Sequence, residues 1–253
     1  MNLGVAGINK YPISQNMKID HVVNSATNKS VSKPNYINSN SGMMFKGGGI
    51  YEPEFFPVPF IEKYVTSDTI QKAIDKDPNI FFILEYNGIE PRIYETNIDN
   101  RLKNHLLTTY LYAKEIATKS NLSSEQKGIL YRSALLHDIG KGLIPEEIVQ
   151  KPGKLTEEER RIIDLHARLG YEILKSADVD FDIAEAVRLH HSPVYEKNGN
   201  VVAQILSVAD VFSALKEERA YKPPLTNSEA FEIMADTPYL LQDYVDILRN
   251  THI

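Results

Sequence analysis

Seven residues stand out by type and spacing: His105, His137, Asp138, His166, His190, His191 and Asp210. Each falls on or beside a face that the surrounding apolar pattern marks for burial. Burying an imidazole or a carboxylate without a partner costs several kcal/mol. Taken alone, His105 or His166 reads as a core histidine with its hydrogen bonds satisfied, the usual state of a buried polar group. Seven such residues on five successive helices are harder to explain separately. If the helices converge, shared cations satisfy all seven at once, and bundle cores commonly hold such sites. Imidazole and carboxylate donors without thiolate suit iron, manganese, nickel or zinc.

Asp138 is the sharpest member of the set. His137 and Asp138 are adjacent, so inside a helix they would diverge by about 100°. At a helix end, with Gly140 and Gly142 freeing the backbone, both can turn toward one site. A carboxylate has two oxygens and can bridge two cations. Lys141 then stands where an anionic substrate oxygen would arrive; its alternative role is to complement the negative end of a helix.

The elements that must position these groups are helices. Residues 99–119 place Leu102, Leu106, Thr109, Ala113 and Ile116 at three- and four-residue steps, with His105 beside them. Residues 123–138 open on Ser123-Ser124-Glu125-Gln126, and residues 156–175 open on Thr156-Glu157-Glu158-Glu159. Both openings are capping boxes. Residues 181–191 lead through Ile183 and Val187 to His190-His191, and 201–218 carry Val202, Ile205, Leu206 and Asp210. The fold class expected is all-α, a helical bundle. Tyr239, Leu240, Leu241, Tyr244, Val245 and Leu248 form a further amphipathic stretch, which packs on the bundle or mediates a dimer.

Residues 61–97 read as a small cap region. Ser67 or Asp68 caps a short helix there, and Asn79 to Tyr86 is ambiguous between strand and helix. Residues 1–60 read as a disordered arm, rich in Asn, Ser and Gly, with PEFFPVPF (53–60) as an extended lead-in. The arm is a solvated tail or, through Phe55, Phe56 and Phe60, a docking site for a protein partner.

Composition narrows the function. The chain has 253 residues, seven His, no Cys and a formal charge of −6. Absence of Cys excludes disulfide scaffolds, thiol nucleophiles and Cys-type metal sites. Residues 1–50 hold five Lys against one Asp, so the remainder carries −10. That balance argues against binding a nucleic-acid duplex, which needs a basic surface. No run approaches the roughly 18 apolar residues of a membrane span. The opening MNLGVAGINKYPIS lacks the pattern of a signal peptide, so a cytoplasmic address is expected.

The segment LLHDIGKGLIPEEIVQKPGKLTEEERRIIDLHARLGYEIL (135–174) resembles the HD-domain phosphohydrolases, above all the HD-GYP branch that degrades cyclic dinucleotides. The resemblance covers roughly 98–236. It includes His105, the His166-x3-Gly170 element, the His190-His191 pair and VADVFSALKEERAY (208–221). It implies an HD-type domain over 98–253. It implies two divalent transition-metal ions, iron or manganese first and nickel or zinc after, held by His105, His137, Asp138, His166, His190, His191 and Asp210. Asp138 would bridge them, a metal-bridging hydroxide would attack phosphorus in line, and Lys141 would contact the scissile phosphate. Arg219 and Tyr221 match a short family segment that contacts substrate or supports the fold.

Two departures bear on the substrate. The family's Asp-Gly-x-Gly-Tyr-Pro stretch is missing, and SPVYEKNGN (192–200) leads straight into the helix at Val201. Arg101 stands where members with a third metal have Glu, so two metals are expected. The function expected is a metal-dependent phosphodiesterase acting on a cyclic dinucleotide or related nucleotide. The alternatives are a phosphohydrolase for mononucleotides or other phosphoesters, and a non-catalytic HD module that binds a nucleotide or protein partner.

Overall fold

The protein is described by a computed structural model over residues 57–197, 199–218 and 223–252. Residues 1–56 of the arm expected over 1–60, and both Arg219 and Tyr221, lie outside the described residues. Among the described residues there is no strand, and no helix is long and apolar enough to cross a membrane.

Five helices form the frame: α4 (Asn100–Lys119), α5 (Ser124–Leu136), α7 (Glu157–Ser176), α8 (Phe181–Leu189) and α10 (Val201–Lys216). Ser123 and Thr156 close the expected capping boxes, each accepting from the backbone N–H three residues on. α5 and α8 end earlier than the apolar period suggests. His137 and His190 occupy their C-cap positions, where the backbone can leave the helix axis.

Before this frame come α1 (Pro57–Tyr64), α2 (Ser67–Lys76) and α3 (Pro78–Tyr86). The extended lead-in expected over 53–60 is therefore corrected at 57–60, which begins α1. Pro57 and Pro59 fit there because first-turn N–H groups have no partner inside the helix. Thr66, not Ser67 or Asp68, caps α2, accepting from Thr69 N at 3.1 Å. The ambiguous run is helix α3, with Asp77 as cap, Pro78 at its start and Ile80, Ile83 and Leu84 buried. Ile61, Val65, Ile70, Ile80 and Leu84 belong to the same apolar core as the frame helices.

Short helices α6 (Glu146–Val149) and α9 (Val194–Lys197) and the longer α11 (Asn227–Ala235) and α12 (Gln242–His252) complete the set. Val245 and Leu248 of α12 are fully buried in that core, and α12 packs on α4 and α10.

Candidate metal centre

The frame helices α5, α7 and α8 each deliver a histidine by a local device. Three histidines are aimed by their own helices. His137 Nδ1 donates to the Ala134 carbonyl at 2.9 Å, His166 Nδ1 to Ile163 at 2.6 Å and His190 Nδ1 to Val187 at 2.5 Å. A carbonyl only accepts, so the proton sits on Nδ1 and Nε2 is the nitrogen turned outward from the helix.

Those nitrogens converge. His105 Nε2 is 3.2 Å from His137 Nε2 and 3.1 Å from Asp210 Oδ1. His166 Nε2 is 3.3 Å from His190 Nε2. Asp138 lies between the two groups. Its Oδ1 is 3.2 Å from His166 Nε2, and its Oδ2 is 3.4 Å from both His105 and His137 Nε2. Lys141 Nζ donates to the same Oδ2 at 2.5 Å. His191 Nε2 stands farther out, 3.7 Å from Asp210 Oδ2. All seven predicted residues thus meet. Six are buried, while His191 and Lys141 keep 31 % and 24 % of their side-chain surface exposed and mark the open edge.

Asp138 follows the α5 C-cap residue His137 and opens a 3-10 turn over Ile139–Leu143 that carries Lys141. Gly140 and Gly142 do not serve backbone freedom, as expected from sequence, since neither has a positive φ. They serve close packing. A Cβ on Gly140 would stand 2.1 Å from the His166 carbonyl oxygen and 2.7 Å from Gly170 N. The turn is also held from the other side. Asn97 Nδ2 donates to the carbonyls of Lys141 and Ile144, and Tyr94 N donates to the Gly142 carbonyl.

The charge state of the cluster is divided. Burial raises the carboxyls of Asp138 and Asp210, but Lys141 and the histidines around Asp138, and His105 and His137 beside Asp210, outweigh it and hold both well below the usual range. Burial pulls His105 and His137 down, yet Asp210, Glu217 and Asp138 leave His105 raised, and Asp138 with Asp210 lift His137 to about 10. Burial wins at the remaining three. His166 falls to about 3, and His190 and His191 are also lowered.

This donor set fits metal ions. His166, His190 and His191 offer ligand atoms within 4.8 Å of one another, as do His105, His137 and Asp138. Neighbouring donors on an octahedral ion with bonds of about 2.1 Å stand about 3 Å apart, close to the separations seen between the facing imidazoles. Imidazole nitrogens gathered around two buried carboxylates in a dry interior are a donor set that a divalent cation would satisfy.

Sequence reading missed three supporting residues. Glu217, at the C-cap of α10, accepts a hydrogen bond from His105 Nδ1. It lies seven residues after Asp210, on the same helix face, a signal the pattern did contain. Asn97 and Lys197 carried no local signal. Lys197 is buried, with Nζ donating to the Tyr239 carbonyl at 2.8 Å, and the Tyr239 ring stands edge-on to His191 at 6.0 Å. Arg101, in the place of the third-metal Glu, is exposed.

The HD domain family matches residues 96–239, more than half of the chain. The chain belongs to the HD-domain family. Its HD domain is 36 % identical over 126 residues to the cyclic di-GMP phosphodiesterase response regulator RpfG of Xanthomonas campestris, covering 46 % of this chain and 33 % of the relative. It is 30 % identical over 157 residues to the 3'3'-cGAMP-specific phosphodiesterase 2 of Vibrio cholerae, covering 58 % and 29 %. The match spans about a third of the length of these relatives. Among solved structures, the HD domain of the L. monocytogenes phosphodiesterase PgpH aligns with 74 % of this chain and 95 % of that one, at 20 % identity and a TM-score of 0.46.

Proposed function

We propose that this HD domain is a metal-dependent phosphohydrolase that cleaves a phosphodiester in a cyclic dinucleotide or related nucleotide. The observation that carries the reading is the position of Asp138, one oxygen toward His166 and the other toward His105 and His137, with Lys141 against it. In this reading His105, His137, Asp138 and Asp210 hold one divalent transition-metal ion. His166, His190, His191 and the other oxygen of Asp138 hold a second, iron or manganese before nickel or zinc. Residues 98–253 form the catalytic domain, 61–97 its cap, and the residues before α1 an arm. Arg219 and Tyr221 stand as substrate contacts.

Two such ions lower the pKa of a water and stabilise charge on attacking and leaving oxygens. The chain's own residues do the rest. The buried imidazoles exclude bulk water behind the reacting phosphorus. Phosphate enters at the edge kept open by Lys141 and His191. The Lys141 ammonium, released from part of its bond with Asp138, meets a non-bridging phosphoryl oxygen as a fixed positive charge. The three own-helix carbonyls keep His137, His166 and His190 in one tautomer throughout. Similarity to relatives named for cyclic di-GMP and 3'3'-cGAMP supports the substrate class.

A second reading, a phosphohydrolase for mononucleotides or other phosphoesters, is favoured by one feature. The stretch after His190-His191 folds into α9 and buries Lys197 on the Tyr239 carbonyl. Lys197 is thereby committed to packing, and the Asp-Gly-x-Gly-Tyr-Pro stretch of the cyclic-dinucleotide branch has no counterpart there.

The test is a panel of cyclic di-GMP, cyclic GMP-AMP, linear dinucleotides and mononucleotides with manganese or iron present. Turnover of a cyclic dinucleotide supports the first reading, and turnover of mononucleotides alone supports the second. Asp138→Ala should abolish turnover while circular dichroism shows the helices intact. Equal activity in that variant, or no metal retained by the purified protein, would overturn the assignment.

A further inference from the structure

His105 is oriented differently from its neighbours. His137, His166 and His190 rest Nδ1 on carbonyls of their own helices. His105 Nδ1 instead meets the Glu217 carboxylate, from a different helix, and Ser213 Oγ lies 3.4 Å from both. Asp210, Ser213 and Glu217 follow one another at three and four residues on α10. One helix face therefore turns a carboxylate toward the centre and sets a second behind the ring of His105.

A carboxylate behind a ligand imidazole fixes its tautomer and ring angle and makes the other nitrogen a stronger donor. A backbone carbonyl carries no net charge and strengthens the donor less. The two halves of the cluster are also unequal in ligating charge. His105 and His137 sit beside both Asp138 and Asp210, whereas His166 has Asp138 and the edges of the His190 and His191 rings, and of that half His191 approaches Asp210 only to 3.7 Å.

We infer that Glu217 is a positioning residue that sets the metal affinity of the His105–Asp210 half and makes it the tighter of two unequal positions. The inference rests on the metal-centre reading above. Glu217 itself touches neither metal nor substrate; it acts through His105.

The test is titration of the chelator-stripped full chain with Mn(II), following free ion by electron paramagnetic resonance. The natural protein should show two classes of site. Glu217→Gln keeps a hydrogen-bond acceptor and removes the charge. It should weaken the tighter class about 10- to 100-fold and leave the second within about twofold. Glu217→Asp should recover part of the loss. In 15N-histidine NMR of the metal-free protein, the His105 ring resonance should move in Glu217→Gln while those of His166 and His190 stay. Unchanged Mn(II) affinities in Glu217→Gln, or equal weakening of both classes, would overturn the inference and leave the metal centre standing. A natural chain that binds no Mn(II) would remove the metal-centre reading, and this inference with it.

Discussion

Protonation of single histidines sets how the metal-free protein responds to pH. His137 keeps its proton in the fold up to about 10, against an ordinary value of 6.5. That stabilisation is complete below 6.5 and is lost as pH rises toward 10. His105 shifts in the same direction. His166 is the reverse case. It stays neutral in the fold down to about 3, while the unfolded chain takes up the proton below 6.5. Stability therefore falls as pH drops through that window, and His190 and His191 add to the fall. The metal-free protein should be most stable near pH 6.5. Its melting temperature in EDTA, followed by circular dichroism, should drop at about pH 5 and again at about pH 8.5. A steady climb across that range would contradict the assignment. The seven residues themselves were legible in the sequence, because polar groups on apolar faces break the helical pattern. Glu217 was not singled out, because it lies on an end turn where a charge is unremarkable until its partner on α4 is known.

At the scale of elements, the contact between the Ile139–Leu143 turn and α7 is backbone against backbone. Gly140→Ala would drive a methyl into the His166 carbonyl and Gly170 N. Neither group can step aside as a side chain could. The substitution should cost about 1–3 kcal/mol or more and should separate Asp138 from His166. Urea unfolding and Mn(II) binding should weaken together. Gly128→Ala is the contrast. Its nearest foreign atom is the end of the Arg132 side chain at 3.1 Å, so better helix propensity should leave it neutral or more stable by up to about 1 kcal/mol. Equal destabilisation of the two variants would refute the packing argument. Capping boxes and apolar period located α4, α5, α7, α8 and α10 in advance, since both signals are local. The start of α1 was hidden because Pro57 and Pro59 read as breakers, and only burial of Ile61 and Val65 shows why a helix forms there. Asn97 and Lys197 were hidden for a related reason. Their partners lie 44, 47 and 42 residues away.

Across the whole molecule, the candidate ligands come from α4, the ends of α5 and α8, α7 and α10, and the apolar core is continuous around them. An ion bound only by the folded chain stabilises it by mass action, by about 2.7 kcal/mol at a hundredfold excess over Kd. Mn(II) at that level should raise the melting temperature of the natural chain, and Asp138→Ala should erase most of the rise. No shift in the natural chain would mean that the helices converge without binding the ion.

A chain with no cysteine has no disulfide of its own. Ions seated between residues as far apart in sequence as His105 and Asp210 would close long loops in the manner of a disulfide, yet open again with acid or a chelator. The working lifetime of the protein, including its resistance to heat and proteases, would then follow metal availability, so that starvation for the ion would remove the folded chain as well as the proposed activity.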